Sequence, residues 1–263
     1  RNGEEEGSIE KYLLTLGEPD SKVVGEDVEI YMYENESDLL NGYREFINDK
    51  NPNVIVGYNI LNFDVPYMIK RSKRIQCFTF DEQSFVKYQH CKEKTIKWTS
   101  SAYSNQSFQY LDTEGRVYVD LLPLVKRNYK MDNYKLKTIS THFLGATKDP
   151  LSVKGIFKCY RIGIQKNSND EYSSKSQKAM GVVGKYCVVD SLLVTKLFIK
   201  LQIWADLCEM AKTCRVPIFY LYTQGQQIKV YSQLYYFCMY HNFVVEKDGY
   251  TSSENENYMG AHV

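Results

Sequence analysis

The chain has almost no net charge and few of the residues that build closed metal sites. Its formal charge is +1 over 263 residues, from 33 Lys and Arg against 32 Asp and Glu. No whole-chain field drives it toward nucleic acid or membrane, so any such surface must be local. There are four His, and no CxxC pair occurs, which weighs against a zinc site. Seven Cys is an odd number, and the nearest pair is Cys208 and Cys214. They read as thiols in a reducing compartment rather than as a disulfide framework. No apolar run approaches the ~20 residues that cross a bilayer, and no signal peptide is visible. Internal repeats and low-complexity tracts are absent. What is present is globular: 43 % hydrophobic and 25 % charged residues. The length suits one sizeable core, or one domain and the start of a second. The 23 Tyr and 12 Phe suit a core or a stacking surface. The chain opens on Arg1 rather than Met and stops at Val263, and it reads as a fragment.

Periodicity predicts a mixed α/β sheet. Residues 8–16 and 28–33 read as strands around a turn region at 17–27. A helix opens at Ser37 and ends before Pro52. Residues 54–58 form a short buried strand, followed by a helix over 65–71. Residues 76–115 read as an irregular polar insertion with a possible hairpin piece at 107–111. A strand runs into a helix over 116–127, and 134–145 is a helix ending on Gly145. Residues 146–174 read as a polar connection. One long helix is predicted over 175–212, with a stripe of Val182, Tyr186, Val189, Leu193, Leu197, Leu201, Trp204 and Leu207. Pro217 breaks it. A further helix follows over 223–243, and 254–263 is extended.

Four carboxylate positions invite chemistry. Asp64 stands after Phe63 at a strand-to-helix turn, where it is either a helix cap or a cation ligand. Asp190 falls mid-helix on the apolar stripe, four residues after Tyr186, so it shares a face with that hydroxyl and has no capping role. Two such carboxylates on separate elements suit a hard cation such as Mg²⁺, and paired ions activate water in phosphoryl transfer. Asp120 sits at a second strand-to-helix junction, where capping is the stronger reading. Asp27-Val28-Glu29 is an Asp-x-Glu in a polar turn, best read as a solvated strand start. Basic runs at 70–74 and 92–97 could touch phosphate. A charged helix face explains the first equally well, and a loop explains the second.

These stretches carry a resemblance. "GYNILNFDVPYM" (57–68) resembles the second exonuclease motif of family B DNA polymerases, and "YCVVDSLLVTKLF" (186–198) resembles the third. "YKLKTISTHFLG" (134–145) is similar to the helix between them. "VPIFYLYTQGQQIKVYSQL" (216–234) is similar to the segment after the exonuclease domain, and "YMGA" (258–261) to the motif before the polymerase palm. All five occur in the family's order, with a flavour closest to the delta-like polymerases of nucleocytoplasmic large DNA viruses. A cellular delta polymerase is the alternative source. The resemblance implies an α/β, ribonuclease-H-like (DnaQ-like) 3′→5′ exonuclease domain over 1–215 and a helical connection toward the palm over 216–263.

It further implies proofreading within a DNA-directed DNA polymerase that uses two Mg²⁺ ions. Asp64 and Asp190 would be metal ligands and Tyr186 would orient the attacking water. Asn59 and Phe63 would grip the single-stranded primer 3′ end, and Tyr258 and Gly260 would meet primer–template DNA. Deoxynucleotides and a sliding clamp would be partners of the full-length enzyme, and no membrane is involved. The family's first motif, an Asp-x-Glu on the first strand, should precede residue 8 and is not here. The expectation is therefore half an active site, lacking its first strand and inactive alone. Two other readings compete with it. One is a polymerase domain whose exonuclease has decayed to nucleic-acid binding, against which the intact Asp64, Tyr186 and Asp190 argue. The other is a free nuclease of the same fold, against which the Gln-rich segment and the Tyr-Met-Gly-Ala exit argue.

Overall fold

Three two-stranded ladders organise the molecule, whose computed structural model describes residues 9–100, 104–146 and 151–245. Strand β1 (Lys11–Leu16) pairs in parallel with β2 (Val28–Tyr33), and the crossover contains the short helix α1 (Ser21–Val24). Helix α2 (Glu36–Lys50) follows. The Asn35 side chain caps it by accepting the Asp38 N–H at 2.9 Å, so the helix starts ahead of Ser37. It closes on Asn51, which is left-handed at φ 48°, and Pro52 then prevents continuation.

The second ladder positions the site. Strand β3 (Val54–Gly57) runs parallel to β6 (Val117–Asp120), in register from Val54 opposite Val117 to Gly57 opposite Asp120. Both chains leave the sheet at the same edge. From β3 the chain enters helix α3 (Asp64–Arg74), and from β6 it enters α4 (Leu121–Asn128). The carboxyl ends of parallel strands are where open α/β sheets place ligands.

The third ladder corrects the sequence reading of 76–115. Strands β4 (Lys92–Ser100) and β5 (Ser104–Asp112) form a long antiparallel hairpin, so the basic run at 92–97 is a strand and not a loop. Phe108, Tyr110 and Leu111 turn inward into the main core. Ahead of the hairpin, buried Arg116 ties residues 76–91 to the sheet. Its guanidinium donates to Gln83 O at 2.8 Å and Pro52 O at 2.9 Å, and stands over the Phe85 ring.

Helix α5 (Leu136–Leu144) ends on left-handed Gly145 as expected. Two helical expectations fail. The connection at 146–174 contains α6 (Val153–Gly163), capped by Ser152. The long helix is two, α7 (Ser174–Lys200) and α8 (Ile203–Cys214), separated at Gln202, whose φ of 49° no α-helix continues. Along α7 the buried face runs through Met180, Gly181, Gly184, Leu193, Val194 and Leu197, while Val182 on α7 and Trp204 on α8 are exposed. A Cβ on Gly184 would stand 2.6 Å from Leu13, so this glycine lets α7 lie on β1. Helix α7 packs on both β1 and β3 and so bridges the two parallel ladders.

Beyond Pro217, α9 (Tyr220–Thr223) is buried in the same core. Tyr222 donates its hydroxyl to Tyr118 O on β6, Trp98 donates to Thr223 O at 2.6 Å, and Arg127 donates to Leu221 O and Gln224 O. Helix α10 (Gln227–Tyr240) has no fully buried residue and touches this core through Ile228. No described helix is long and apolar enough to cross a membrane.

Candidate active site

Residues 57–64 turn the chain from β3 into α3. Gly57 is required by crowding, because a Cβ there would meet Ile60 at 2.1 Å. Asn59 takes the left-handed conformation at φ 65°, which Asn tolerates better than most residues. Its carbonyl accepts the Asn62 N–H at 3.3 Å and the Phe63 N–H at 3.1 Å, closing the turn. Leu61 is wholly buried, whereas Phe63 is 66 % exposed. An exposed aromatic ring is what a base-stacking contact needs. Tyr67, one helical turn beyond Phe63, is also exposed; the sequence reading passed it over because it lies on the expected helix like any other aromatic residue.

Asp64 is the first residue of α3 and does not cap it. The cap position is Phe63, which makes no side-chain bond to the helix. Among the described residues no cation pairs with Asp64. The residue is exposed, yet the protein against its inner side raises its carboxyl above the ordinary carboxylate range, opposed by a hydrogen bond from its own backbone. Its charge reaches Tyr43 on α2, whose hydroxyl is pushed up to about 12, first by burial and then by Asp64. Tyr43 in turn lines a groove of about 250 Å³ between β1, α2 and α7, which also includes Val188 and Ser191. Asp190 and Tyr186 lie on this stretch of α7, both half-buried. Of the two expected metal ligands, Asp64 opens the helix that follows β3 and Asp190 stands on α7, which packs on β3. Among the described residues no group of three or more His, Cys, Asp or Glu could hold a metal ion.

Asp120 resolves in favour of capping and does more than cap. It is fully buried, and its Oδ1 accepts the Leu122 N–H at 3.0 Å, the first turn of α4. The same carboxylate accepts the Asn59 N–H at 2.7 Å and the Leu61 N–H at 3.1 Å across the sheet. Burial pushes it up to about 6, opposed by these three N–H groups and aided by the charge of Asp64. Nothing local in the sequence signals that reach from β6 to the β3 turn.

The remaining candidates are ordinary. Asp27 pairs with Lys11, and Glu29 accepts the Tyr31 hydroxyl at 2.6 Å, both at the surface. Another Asp-x-Glu that the sequence reading passes over, Asp112-Thr113-Glu114, closes β5, with Asp112 paired to Lys94. In the basic run on α3, Arg71 pairs with Glu36 and Lys73 with Glu93. Tyr258 and Gly260 lie outside the described residues.

Residues 1–139 match the family model of the DNA polymerase family B exonuclease domain. The chain is 50 % identical over its whole length to DNA polymerase 120R of Invertebrate iridescent virus 3, of which it covers 22 %. It is 39 % identical over 93 % of its length to putative DNA polymerase 060R of Frog virus 3, covering 24 % of that protein. It is 31 % identical over 92 % of its length to the DNA polymerase delta catalytic subunit of Candida albicans, again covering 22 %. The chain therefore spans less than a quarter of the length of these relatives. With a family model matched over more than half of its residues, this chain belongs to the family B DNA polymerases and carries their exonuclease domain.

Proposed function

We propose that these residues proofread: within a replicative DNA-directed DNA polymerase they hydrolyse the terminal phosphodiester of an unpaired primer 3′ end. The observation that carries the reading is the β3–α3 turn. It offers an exposed ring at Phe63 and, at Asp64, a carboxylate that neither caps the helix nor pairs with a cation among the described residues. A carboxylate raised by its surroundings, with only its own backbone N–H as a partner opposing that rise, suits a hard divalent cation, which favours the charged form. Asp64 and Asp190 would hold Mg²⁺, which supplies Lewis-acid stabilisation of the leaving oxygen and activation of water. Tyr186, four residues before Asp190 on the same helix face, would orient that water. Asn59 would hold the 3′ nucleotide by hydrogen bonding and Phe63 by stacking.

We read the two parallel ladders under α7 as parts of one ribonuclease-H-like sheet whose first strand, bearing the Asp-x-Glu, belongs between β1 and β3. Residues 1–215 would be the exonuclease domain and 216–263 the connection toward the palm, with primer–template, deoxynucleotides and a sliding clamp as partners of the whole enzyme.

The test uses the full-length polymerase and a 5′-labelled mismatched primer with Mg²⁺. Asp190→Ala should lower degradation of the mismatched end by orders of magnitude and leave extension of a matched primer intact. Tyr186→Phe should cost roughly 10–100-fold, the scale of lost support to a bound group. Undiminished degradation in Asp190→Ala would make that carboxylate structural and defeat the reading.

A further inference from the structure

Leu61 is committed in two directions by its backbone alone. Its N–H donates to Asp120 Oδ2 at 3.1 Å, and its carbonyl accepts the N–H of Gln109, on β5, at 3.0 Å. Its side chain is 0 % exposed. Two residues earlier, the Asn59 N–H donates to Asp120 Oδ1 at 2.7 Å and holds that residue at φ 65°. The residues assigned above to the primer end, Asn59 and Phe63, therefore flank a bolt whose inner anchor is a single buried carboxylate. No water reaches Asp120 to replace a lost bond, and an unmet buried N–H is costly.

We propose that Asp120 is a positioning residue of this site: it sets the pose of the turn over 59–64 against the primer 3′ nucleotide without touching DNA or metal. The inference rests on the proofreading reading and adds a residue to it. The carboxylate form is needed for a specific reason. Three N–H groups converge on its two oxygens. An amide has one acceptor oxygen, so in Asp120→Asn the amide nitrogen must face one of the three donors. Asn caps helices as well as Asp does, so α4 keeps its start while the turn loses part of its pin. Asp120→Ser also retains a cap for α4, but its shorter side chain cannot reach across to Asn59 and Leu61.

The experiment uses the full-length polymerase with two readouts. The first is exonuclease turnover on a single strand, set against extension of a matched primer and the melting temperature. The second is binding of a single strand ending in 2-aminopurine, measured by fluorescence in an Asp64→Ala background where cleavage is suppressed. Asp120→Asn and Asp120→Ser should each lower exonuclease kcat/KM roughly 10–100-fold, as outer support to a site typically does. They should weaken 3′-end binding in the second assay and leave extension within twofold of wild type. Unchanged cleavage and binding in Asp120→Asn would overturn the proposal. So would a loss shared equally by exonuclease, extension and melting temperature, because that pattern marks a purely structural carboxylate. Should the wild-type enzyme leave 3′ ends intact, the proofreading reading falls by itself, and the binding assay still decides whether Asp120 poses the turn.

Discussion

Two parallel strands leave the same edge of one ladder side by side, and each hands its chain to a helix through an aspartate. At the end of β6, Asp120 is buried, caps α4 and meets three backbone N–H groups. At the end of the β3 turn, Asp64 is exposed, caps nothing and is the first residue of a helix whose cap position, Phe63, makes no side-chain bond. In sequence the two are near equals, each an Asp after an apolar stretch and before a helix. The difference teaches where chemistry can sit. A carboxylate committed to fixed backbone dipoles holds its neighbours in place, and the exposed one at the next strand end is the one a ligand can reach. The first also determines where the second points.

The contrast breaks most visibly under alanine. Asp64→Ala in the full-length enzyme should remove exonuclease by more than the ~10–100-fold of lost outer support, while chemical denaturation shows stability unchanged within about 0.5 kcal/mol. Asp120→Ala should do the reverse in magnitude: it loses a cap worth ~1 kcal/mol and leaves the buried Leu61 N–H and the half-buried Asn59 N–H unmet, at ~1–3 kcal/mol each. A stability loss of about 3–7 kcal/mol should appear in the same denaturation series. Equal stability losses in the two variants would erase the distinction.

The pH dependence of stability sharpens it further. Asp120 titrates near 6 when folded, above its ordinary value of 3.8. A raised folded value means that the folded state binds the proton more tightly, so this group's contribution is fully present below about pH 4. It is lost as pH rises through about 6. The difference is about two pH units, or about 3 kcal/mol. Melting curves between pH 4 and 7 should show this downward slope in the wild type relative to Asp120→Asn, in which the group cannot titrate. Parallel curves would mean that the three N–H groups outweigh burial.

The smallest expected effect belongs to the exposed side of the pair. Phe63→Ala should weaken binding of a single-stranded 3′ end by ~1–3 kcal/mol, roughly 5- to 150-fold. A filter-binding titration reads this directly. Unchanged affinity would return Phe63 to the role of an exposed helix cap.

Much of this arrangement was legible in the residues. The strand at 28–33, the strand read at 54–58 and found at Val54–Gly57, the helix closed by Asn51-Pro52 and the helix ended by Gly145 all followed from periodicity and turn chemistry. The break between α7 and α8 was hidden because Leu197, Leu201, Trp204 and Leu207 keep a helical step straight across it, and Gln202 is neither Gly nor Pro. The hairpin was hidden by its polarity. Lys, Glu, Thr and Ser fill most of β4, with Ile96 and Trp98 as its apolar residues, and its partner β5 buries Phe108 and Tyr110. Asp64 and Asp190 could be singled out because each breaks an apolar pattern. The second task of Asp120 could not, since its partners Asn59 and Leu61 are about sixty positions away and offer only backbone.

The hydroxyl of Tyr222 on the carbonyl of Tyr118 joins residues 104 positions apart. A ribosome adding ~5–20 residues per second needs roughly 5–20 s to cover that interval. Throughout it, β6 is already made, while the buried ring that will cover it has not yet been synthesised. Arg127 waits similarly for the carbonyls of Leu221 and Gln224. The strand that carries Asp120 therefore reaches its final packing only after the segment beyond Pro217 has emerged. A pause or truncation in that interval would yield a nascent chain with both aspartates present and the floor beneath them unfinished.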